Sequence, residues 1–598
     1  MISKFRTLLS LFPELWRTFE HYRSTALLLL FMLTLTSLLE VLSIGMLVPV
    51  LDIIVEGKYK GILGKTISSL FGDITPGMII VPILGLFAIL ILGKNLFSYL
   101  MNRIHAGLSF GLRGYWICEL MSRYVRSEYQ FIVNSKQGTL INNVIVETEK
   151  AQLCLKFLVQ FLSSAVLSMF MLFLLLIISW KVTLFALGIA VVLVFFSSST
   201  IGRYSRRVGY EKLKYARSVG NTVAESISAA KQVKTLGMED RLLNDFSTII
   251  YKYVKTLSNF RVYSVLPQNL IETLTVLILV SVIIYIVNFT NISLKSLVSI
   301  VAVFVVVGNR ISIQLSMLIN SSMQILSNMV SLRRVFDLIK SDVRIENLDE
   351  GLTIDRIRTN IEISDVTFSY DKKTTLFQNL NLVIPKGKFV FLVGESGCGK
   401  STIVDLLLRL RHPVSGAIRV NGKDLSEISI RSWRGLIGYV SQDIILFNKS
   451  IEENVRDGSP GATIDDIIAV CKKVNAHDFI DKFKRGYATI VGDRGIKLSG
   501  GQAQRIVLAR AMLRDPDFLI FDEATSALDQ KLEKEIIQEV RSSGAGKTVL
   551  FITHRLASAI HADVIYRIKN GRVHRTSSNE LYEKSEQKDT DRRRERTN

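Results

Sequence analysis

The sequence predicts a multi-domain protein, in which an all-α transmembrane domain of six helices precedes a soluble α/β domain. The chain has 598 residues, which is too long for one ordinary domain. Residues 24 to about 320 contain long apolar runs, whereas residues from about 340 onward have the mixed composition of a soluble protein. The second half also contains a glycine-rich loop between an apolar strand and a helix. These observations favour a membrane domain fused to a soluble one.

Six apolar segments in the first half are long enough to cross a bilayer, whose ~30 Å hydrocarbon core takes about 20 residues of helix. The third and fourth segments are separated only by Trp180-Lys181, which predicts a tight turn with an interfacial aromatic side chain. The six predicted spans are about 25–54, 78–99, 157–179, 182–201, 270–287 and 292–318.

Two long polar loops, 101–156 and 202–269, carry many Lys and Arg residues and few Gly or Pro residues. Because Lys and Arg accumulate in cytoplasmic loops, both termini are predicted to be cytoplasmic, in the inner (plasma) membrane of a bacterium. We expect the loops to be helical extensions of the spans, which turn near 129–135 and 217–225 to meet a soluble domain. A short amphipathic helix is predicted for 62–71 at the outer surface.

The charge balance is strongly basic, with a net charge of +21 and a pI of about 9.7. This charge is spread through the loops, which indicates the bias of cytoplasmic loops rather than nucleic-acid binding. The mean hydropathy of +0.31 is typical of a chain that is partly inside a membrane. The four cysteines lie far apart, which predicts neither a disulfide framework nor a zinc site. They are Cys118, Cys154, Cys398 and Cys471.

Three ionisable residues lie inside the predicted spans, namely Glu40, Lys94 and Arg310. Charged groups at membrane depth are costly, so they usually face a polar cavity or a partner. The alternative is that a long side chain near the end of a span reaches the membrane surface, which suits Lys94 best. We predict that the three residues line a substrate cavity, for which Glu40 and Arg310 are the better candidates.

Composition divides the chain into five predicted segments, two of which lie at the termini. The first is an amphipathic elbow helix on the inner membrane surface, and the last is a charged tail that is predicted to be disordered. The segments are the elbow helix at 1–23, the transmembrane domain at 24–340, a charged linker at 341–360, the soluble domain at 361–583 and the tail at 584–598.

The loop around which the soluble domain is organised fits the pattern G-x-x-x-x-G-K-[ST]. In such a loop backbone N–H groups surround the phosphates, Lys400 neutralises the β and γ oxygens, and the Ser401 hydroxyl holds Mg²⁺. A glycine-rich turn that binds nothing is the alternative, and the flanking strand and helix disfavour it. The predicted phosphate-binding residues are Gly394, Glu395, Ser396, Gly397, Cys398, Gly399, Lys400, Ser401 and Thr402.

Residues at the ends of other predicted strands supply candidate chemistry. Asp522 and Glu523 end an apolar strand, so Asp522 can orient Mg²⁺ and Glu523 can act as general base for the attacking water. Gln442 can reach both Mg²⁺ and that water. His554 can contact the γ-phosphate, and a surface histidine without such a role is the alternative, which its place at a strand end disfavours. Tyr370 ends an alternating strand and can stack on an adenine, although a lone aromatic residue there more often only packs.

The segment Leu498–Gln502 reads L-S-G-G-Q and opens a helix, whose N-terminal backbone donors make a second anion site. With this segment the chain resembles an ABC transporter of the exporter type, in the half-transporter layout of six spans before one nucleotide-binding domain. The resemblance implies an α/β P-loop ATPase domain that uses ATP and Mg²⁺. It also implies a dimer with a second copy or a paralogous half-transporter, whose ATP is contacted by Ser499, Gly500, Gly501 and Gln502.

Two segments, Leu39–Pro49 and Leu266–Glu272, resemble a subgroup of these exporters, the flippases for lipid-linked oligosaccharides. That subgroup often has a basic residue where Gln268 stands, so Lys94 and Arg310 become the candidates for the positive charge. The resemblance implies export of an amphipathic substrate, a lipid-linked oligosaccharide or glycolipid, by alternating access of a dimer. A general lipid or drug exporter is the main alternative, and a peptide exporter and a non-transporting regulator are two others.

Overall fold

The computed structural model describes most of the chain, and its contacts divide the protein into two compact units. The membrane unit comprises Met1–Val125 and Lys136–Asp342, and the soluble unit comprises Arg126–Ser135 and Val343–Asn598. The residues described are 23–56, 76–289, 294–341, 345–370, 374–523, 534, 537–538, 540–542, 546–553 and 562–577. The predicted elbow helix up to residue 22, the helix at 62–71, His554 and the tail at 584–598 lie outside these residues.

The described part of the first 340 residues is helical almost throughout, as the sequence predicts. A π-helical segment, Asn143–Glu147, joins the helices Gln137–Asn142 and Thr148–Ser228. The helices are α1 Arg23–Gly45, α2 Leu47–Glu56, α3 Pro76–Arg126, α4 Tyr129–Asn134, α5 Gln137–Asn142, α6 Thr148–Ser228, α7 Ala230–Leu236, α8 Glu239–Phe289 and α9 Leu294–Lys340.

Four helical segments of the described residues are long and apolar enough to cross a membrane, against the six spans predicted. The predicted fourth and fifth spans fall on α6 and α8, and the structure does not describe many of the side chains there. The number of six spans therefore stays a prediction. The four segments are Arg23–Leu51, Ile80–Arg126, Gln137–Ile178 and Val301–Lys340.

The helix α6 is not straight over its whole length. The Thr183 hydroxyl donates a hydrogen bond to the Leu175 carbonyl at 2.9 Å. In a straight helix, residues eight apart are separated by about 12 Å along the axis, so this bond requires a local distortion between the two residues. The distortion includes Trp180-Lys181, but α6 runs unbroken from Thr148 to Ser228, so the tight turn between the third and fourth spans stays a prediction.

The two predicted turns of the helical extensions have different outcomes. The turn near 129–135 coincides with the short helix α4. The turn predicted near 217–225 is wrong, because α6 continues to Ser228 and the break follows at Ala229. Gly237 then ends α7 with a left-handed φ of 60°, a conformation that glycine adopts without the steric penalty of a Cβ atom.

The described residues of the soluble unit form two sheets. The strands are β1 Ile361–Ser369, β2 Thr375–Ile384, β3 Phe389–Gly394, β4 Ser415–Val420, β5 Lys423–Asp424, β6 Ile437–Val440, β7 Phe518–Asp522, β8 Thr548–Thr553, β9 Val564–Lys569 and β10 Arg572–Thr576. A four-stranded sheet has the order β2-β1-β4-β5, and a six-stranded sheet has the order β10-β9-β3-β8-β7-β6. The main helices are α10 Lys400–Leu407, α11 Ile430–Gly435, α12 Ile451–Arg456, α13 Ile464–Lys473, α14 His477–Asp481 and α15 Gly500–Leu513.

The central strands β3, β8 and β7 are parallel neighbours, which brings the ends of distant segments to one sheet edge. Their residues are buried almost throughout, as expected for apolar runs covered on both faces of a parallel sheet. Phe391, Phe521 and Phe551 stack on one another across these strands, with ring centroids 5.0 and 4.3 Å apart. The sheet therefore fixes the carboxyl ends of β3 and β7 on either side of β8.

The segment predicted as a charged linker, 341–360, packs into the soluble unit over residues 345–360. Ile357 is 1% exposed, and its N–H donates to the Asp517 carboxylate at 2.8 Å. Glu346 accepts two hydrogen bonds from the Arg434 guanidinium, at 2.8 and 3.1 Å. Ile354 and Ile357 supply the apolar packing. The segment that composition assigned to a spacer therefore contributes to the core of the soluble unit.

Candidate functional site

The phosphate loop runs from the end of β3 to the start of α10, as the sequence predicts. Gly397 and Gly399 have φ values of 81° and 101°, in the region that favours glycine. A Cβ atom at Gly399 would also collide with the Phe377 ring. Glycine is therefore required for the loop to adopt the closed conformation in which backbone N–H groups can surround an anion.

Lys400, the first residue of α10, projects into the centre of this loop. Its side chain is buried, and Nζ donates to the carbonyl oxygens of Gly394 and Glu395, each at 3.0 Å. Nζ also lies 3.4 Å from Glu523 Oε1. The ammonium group is thus held where the loop would present it to phosphate oxygens, next to the predicted general base.

Asp522 and Ser401 meet at the edge of the sheet. The Ser401 hydroxyl donates to Asp522 Oδ1 at 3.5 Å, and the Tyr439 hydroxyl donates to Asp522 Oδ2 at the same distance. Burial, and next the charge of Glu523, raise the pKa of Asp522 to about 6. Burial, and next the charge of Asp522, also raise the pKa of Tyr439, which keeps its hydroxyl protonated as a donor.

Glu523 follows directly and lies between Lys400 and Gln442. The Gln442 amide Nε2 donates to Glu523 Oε2 at 3.2 Å. Glu523 has a φ of 49°, a left-handed conformation that is uncommon outside glycine and turns its side chain away from that of Asp522. The backbone thus separates two adjacent carboxylates, one toward Ser401 and one toward Lys400 and Gln442.

The oxygen groups here fit a magnesium ion. Mg²⁺ favours one or two protein ligands together with substrate phosphates and water. The Ser401 hydroxyl and the Asp522 carboxylate supply two hard oxygen ligands within 3.5 Å of each other, and Gln442 adds an amide nearby. Among the residues described, no group of three or more His, Cys, Asp or Glu side chains could hold a metal ion without other ligands.

Two further predicted elements have well-defined local structure. Tyr370 follows β1, and its hydroxyl lies 2.5 Å from Thr402 Oγ1, so the ring stands beside the phosphate-loop helix. Ser499 caps α15, because its hydroxyl accepts from the Gln502 N–H at 3.3 Å while Gln502 Oε1 accepts from the Ser499 N–H at 3.0 Å. Gly500 and Gly501 form the first turn of this helix, whose N-terminus attracts anions.

The three charged residues predicted for the membrane come together in the membrane unit. Glu40 Oε2 lies 3.9 Å from Lys94 Nζ, and Glu40 Oε1 lies 3.8 Å from Arg310 Nη1. The side chain of Glu40 is 16% exposed, against 49% for that of Arg310. One mostly buried carboxylate thus neutralises one of two cations, and the cluster keeps a net charge of +1.

Two family models match this chain in sequence. The ABC transporter transmembrane region matches residues 26–311, and the ABC transporter model matches residues 377–526. The putative multidrug export ATP-binding/permease protein YgaD of Bacillus subtilis (strain 168) is 32% identical over 466 residues, which is 76% of this chain and 78% of that protein. The chain belongs to the ABC transporter family. Its soluble unit is therefore an ABC ATPase domain.

Other ABC transporters match over shorter shares of their length. An uncharacterized ABC transporter ATP-binding protein of Sinorhizobium fredii, y4gM, is 44% identical over 247 residues, covering 41% of this chain and 42% of the relative. ABC transporter B family member 1 of Dictyostelium discoideum is 32% identical over 76% of this chain, which spans only 50% of that relative. The solved structure of a bacterial Atm1-family ABC exporter with ATP bound shares the fold, with a TM-score of 0.78 and 24% identity over 94% of this chain and 97% of that one.

The structure brings together most of the residues that the sequence predicts for the ATPase site. Lys400, Ser401, Gln442, Asp522 and Glu523 form one connected group. His554 lies outside the described residues, directly after β8, which separates β3 from β7.

Two contacts near this group were not predicted from the sequence. Tyr439 donates to Asp522, and the Arg411 guanidinium lies over the Tyr370 ring. Neither residue belongs to a recognised motif, and no sequence signal identifies either contact partner.

Proposed function

We propose that this chain is one half of an ATP-driven exporter that moves an amphipathic substrate across the inner membrane by alternating access of a dimer. The observation that carries the proposal is the convergence of Lys400, Asp522, Glu523 and Gln442 at the carboxyl edge of a parallel sheet, beside a glycine-rich loop. A cation for phosphate, a magnesium carboxylate and a separate general base are the parts that phosphoryl transfer to water requires.

Each side chain has a distinct role in hydrolysis. Lys400 binds the β and γ phosphate oxygens, and Ser401 and Asp522 would hold Mg²⁺, which neutralises developing charge when it is bound. Glu523 accepts the proton of the attacking water, which Gln442 helps to orient. Glu523 Oε1 lies 3.4 Å from Lys400 Nζ, so the proposed base stands next to the cation that binds the phosphates.

The proposed working form is a dimer of this chain, or a dimer with a paralogous half-transporter. Each chain has one phosphate loop and one capped helix at Ser499. In the proposed arrangement, the ATP bound at Lys400 of one subunit is covered by the other subunit's Ser499, Gly500, Gly501 and Gln502. His554 of the subunit that binds this ATP contacts the γ-phosphate. Two composite sites then close together, so hydrolysis requires both subunits.

The proposed cargo is a lipid-linked oligosaccharide or a glycolipid with an anionic group. The resemblance of Leu39–Pro49 and Leu266–Glu272 to lipid-linked oligosaccharide flippases supports the class. The cluster of Glu40, Lys94 and Arg310 supports the charge, because a net positive group at membrane depth is costly without an anion or water.

A general lipid or drug exporter is the second candidate. The relative from Bacillus subtilis carries the name of a putative multidrug export protein and covers most of this chain. In that case the cargo would be apolar or cationic, and Arg310 would serve only to pair with Glu40.

Stimulation of ATP hydrolysis in liposomes distinguishes the two candidates. Arg310→Ala should keep basal hydrolysis and lose stimulation and transport of an anionic lipid-linked glycan, because a cation that matches phosphate is gone. Arg310→Lys, which keeps the charge, is the matched control and should retain part of the transport. Equal transport of that glycan by wild type and Arg310→Ala would exclude the anionic cargo site and favour the general exporter.

A further inference from the structure

The Tyr370 ring is held on three sides by described residues. Its hydroxyl lies 2.5 Å from Thr402 Oγ1 on the phosphate-loop helix. The Phe368 ring meets it in a T-shaped contact with centroids 5.1 Å apart. The Arg411 guanidinium carbon lies 4.6 Å from the ring centroid, over one face of the ring. This distance is well inside the range in which a cation is attracted to an aromatic face.

Arg411 is itself fixed to the helix that starts the phosphate site. Its Nε lies 3.0 Å from Asp405 Oδ2, and its backbone N–H donates to the Asp405 carbonyl at 3.3 Å. The Arg411 side chain is only 10% exposed, so the guanidinium has little freedom to leave the ring. Asp405 lies on α10, one turn and a half after Lys400. The ring, the cation and the phosphate loop are thus anchored to one short helix.

The arrangement leaves part of the ring accessible. Tyr370 is 52% exposed although its hydroxyl, one edge and one face are in contact. A planar base could therefore stack on the face opposite Arg411, at the level of Thr402 and close to the phosphate loop. A ring already held in place loses less conformational freedom when a base stacks on it than a free tyrosine does.

We propose that Arg411 is a positioning residue for the base of the bound nucleotide. It acts through Tyr370, whose ring it holds as a preformed platform between guanidinium and adenine. The inference rests on the proposed ATP site at Lys400, and adds a residue outside the phosphate-binding and signature motifs. It predicts that Arg411 affects the affinity for the base and leaves the affinity for the phosphates unchanged.

Direct titration of the full-length protein with ATP and with inorganic tripolyphosphate tests this separation. All variants carry Glu523→Gln, so that ATP stays intact during the measurement. Arg411→Gln removes the cation and keeps an amide for Asp405. We expect its ATP affinity to fall roughly three- to tenfold, the effect of one cation–aromatic contact, while its tripolyphosphate affinity stays unchanged. Arg411→Lys should retain part of the ATP affinity, and Arg431→Gln, an exposed arginine paired with Asp349, should change neither affinity.

A second comparison tests whether Arg411 acts through the ring. In a Tyr370→Ala background, Arg411→Gln should cause no further loss of ATP affinity, because the platform is already gone. An equal loss for tripolyphosphate, an undiminished loss in the Tyr370→Ala background, or tighter ATP binding by Arg411→Gln would each overturn the inference. Failure of the parent protein to bind ATP at all would instead contradict the proposed ATP site.

Discussion

At the scale of single residues, the candidate ATPase site contains two adjacent carboxylates with different surroundings. Asp522 is buried against Ser401 and Tyr439, whereas Glu523 contacts Lys400 and Gln442. The motifs predicted where both carboxylates lie, because polar residues after apolar strands collect at one sheet edge, and their roles stay predictions. The Tyr439 contact was not predictable, since it depends on side-chain geometry between strands far apart in sequence.

Replacement of the proposed general base separates binding from chemistry. Glu523→Gln should keep ATP binding and lower hydrolysis by about 10²- to 10⁴-fold, because the amide cannot accept the proton of the water. Nucleotide titration and phosphate release by the purified protein measure the two quantities. Lys400→Ala, which should weaken binding itself, is the comparison. Turnover near that of wild type in Glu523→Gln would contradict the assignment.

The pKa of Asp522 predicts a pH dependence of magnesium binding. A raised pKa of about 6 means that the carboxyl group of the metal-free protein takes up a proton as the pH falls toward 6, whereas an ordinary aspartate is still ionised there. Mg²⁺ needs the ionised form, so Mg²⁺-dependent ATP binding should weaken between pH 7.5 and pH 5.5.

The matched control for this pH effect is Asp522→Asn, which has no proton to exchange. Its Mg²⁺ affinity should be low, with the pH-dependent step around 6 lost. Titration of Mg²⁺ at fixed ATP over this pH range gives the comparison. An unchanged pH profile in Asp522→Asn would show that another group is responsible.

At the scale of elements, the soluble unit includes two segments that composition had assigned to other parts of the chain. Arg126–Ser135, at the turn of a predicted helical extension, clusters with this unit, and Ser127 forms an isolated bridge with Ile345. Residues 345–360 pack along the same unit. Composition identifies long elements well, because a span or a buried strand repeats one signal over many residues. Short segments whose partners lie far away in sequence carry too few residues for such a signal.

The buried part of the predicted linker gives an element-scale prediction. Ile357→Ala should destabilise the soluble unit by about 2–5 kcal/mol, because it leaves a cavity in a packed core. Arg358→Ala, at an exposed neighbour whose side chain is 72% accessible, is the control and should have little effect. Thermal unfolding of the full-length protein, followed by its nucleotide-binding signal, measures both. Equal stability of the two variants would mean that residues 345–360 are a spacer after all.

At the scale of the whole molecule, the described residues include two groups of interacting side chains, one in each unit. Lys400, Ser401, Gln442, Asp522 and Glu523 form one group in the ATPase domain, and Glu40, Lys94 and Arg310 form a charged cluster in the membrane unit. The sequence predicted both, because the phosphate loop and the intramembrane charges are local signals. The proposed contacts of the segment Ser499–Gln502 with the other subunit's ATP require a second subunit, so a direct test of them must compare defined dimers.

Mixing two inactive chains measures that dependence. Lys400→Ala disables the phosphate loop, and Ser499→Arg disables the segment that covers the partner's ATP, so each variant alone should hydrolyse almost no ATP. Co-assembled in equal amounts, half of the dimers are mixed, and each mixed dimer regains one of its two sites, so activity should return to about a quarter of wild type. Pure Ser499→Arg protein that hydrolyses ATP normally, or a mixture as inactive as its components while isolated wild-type monomers are active, would contradict the composite site.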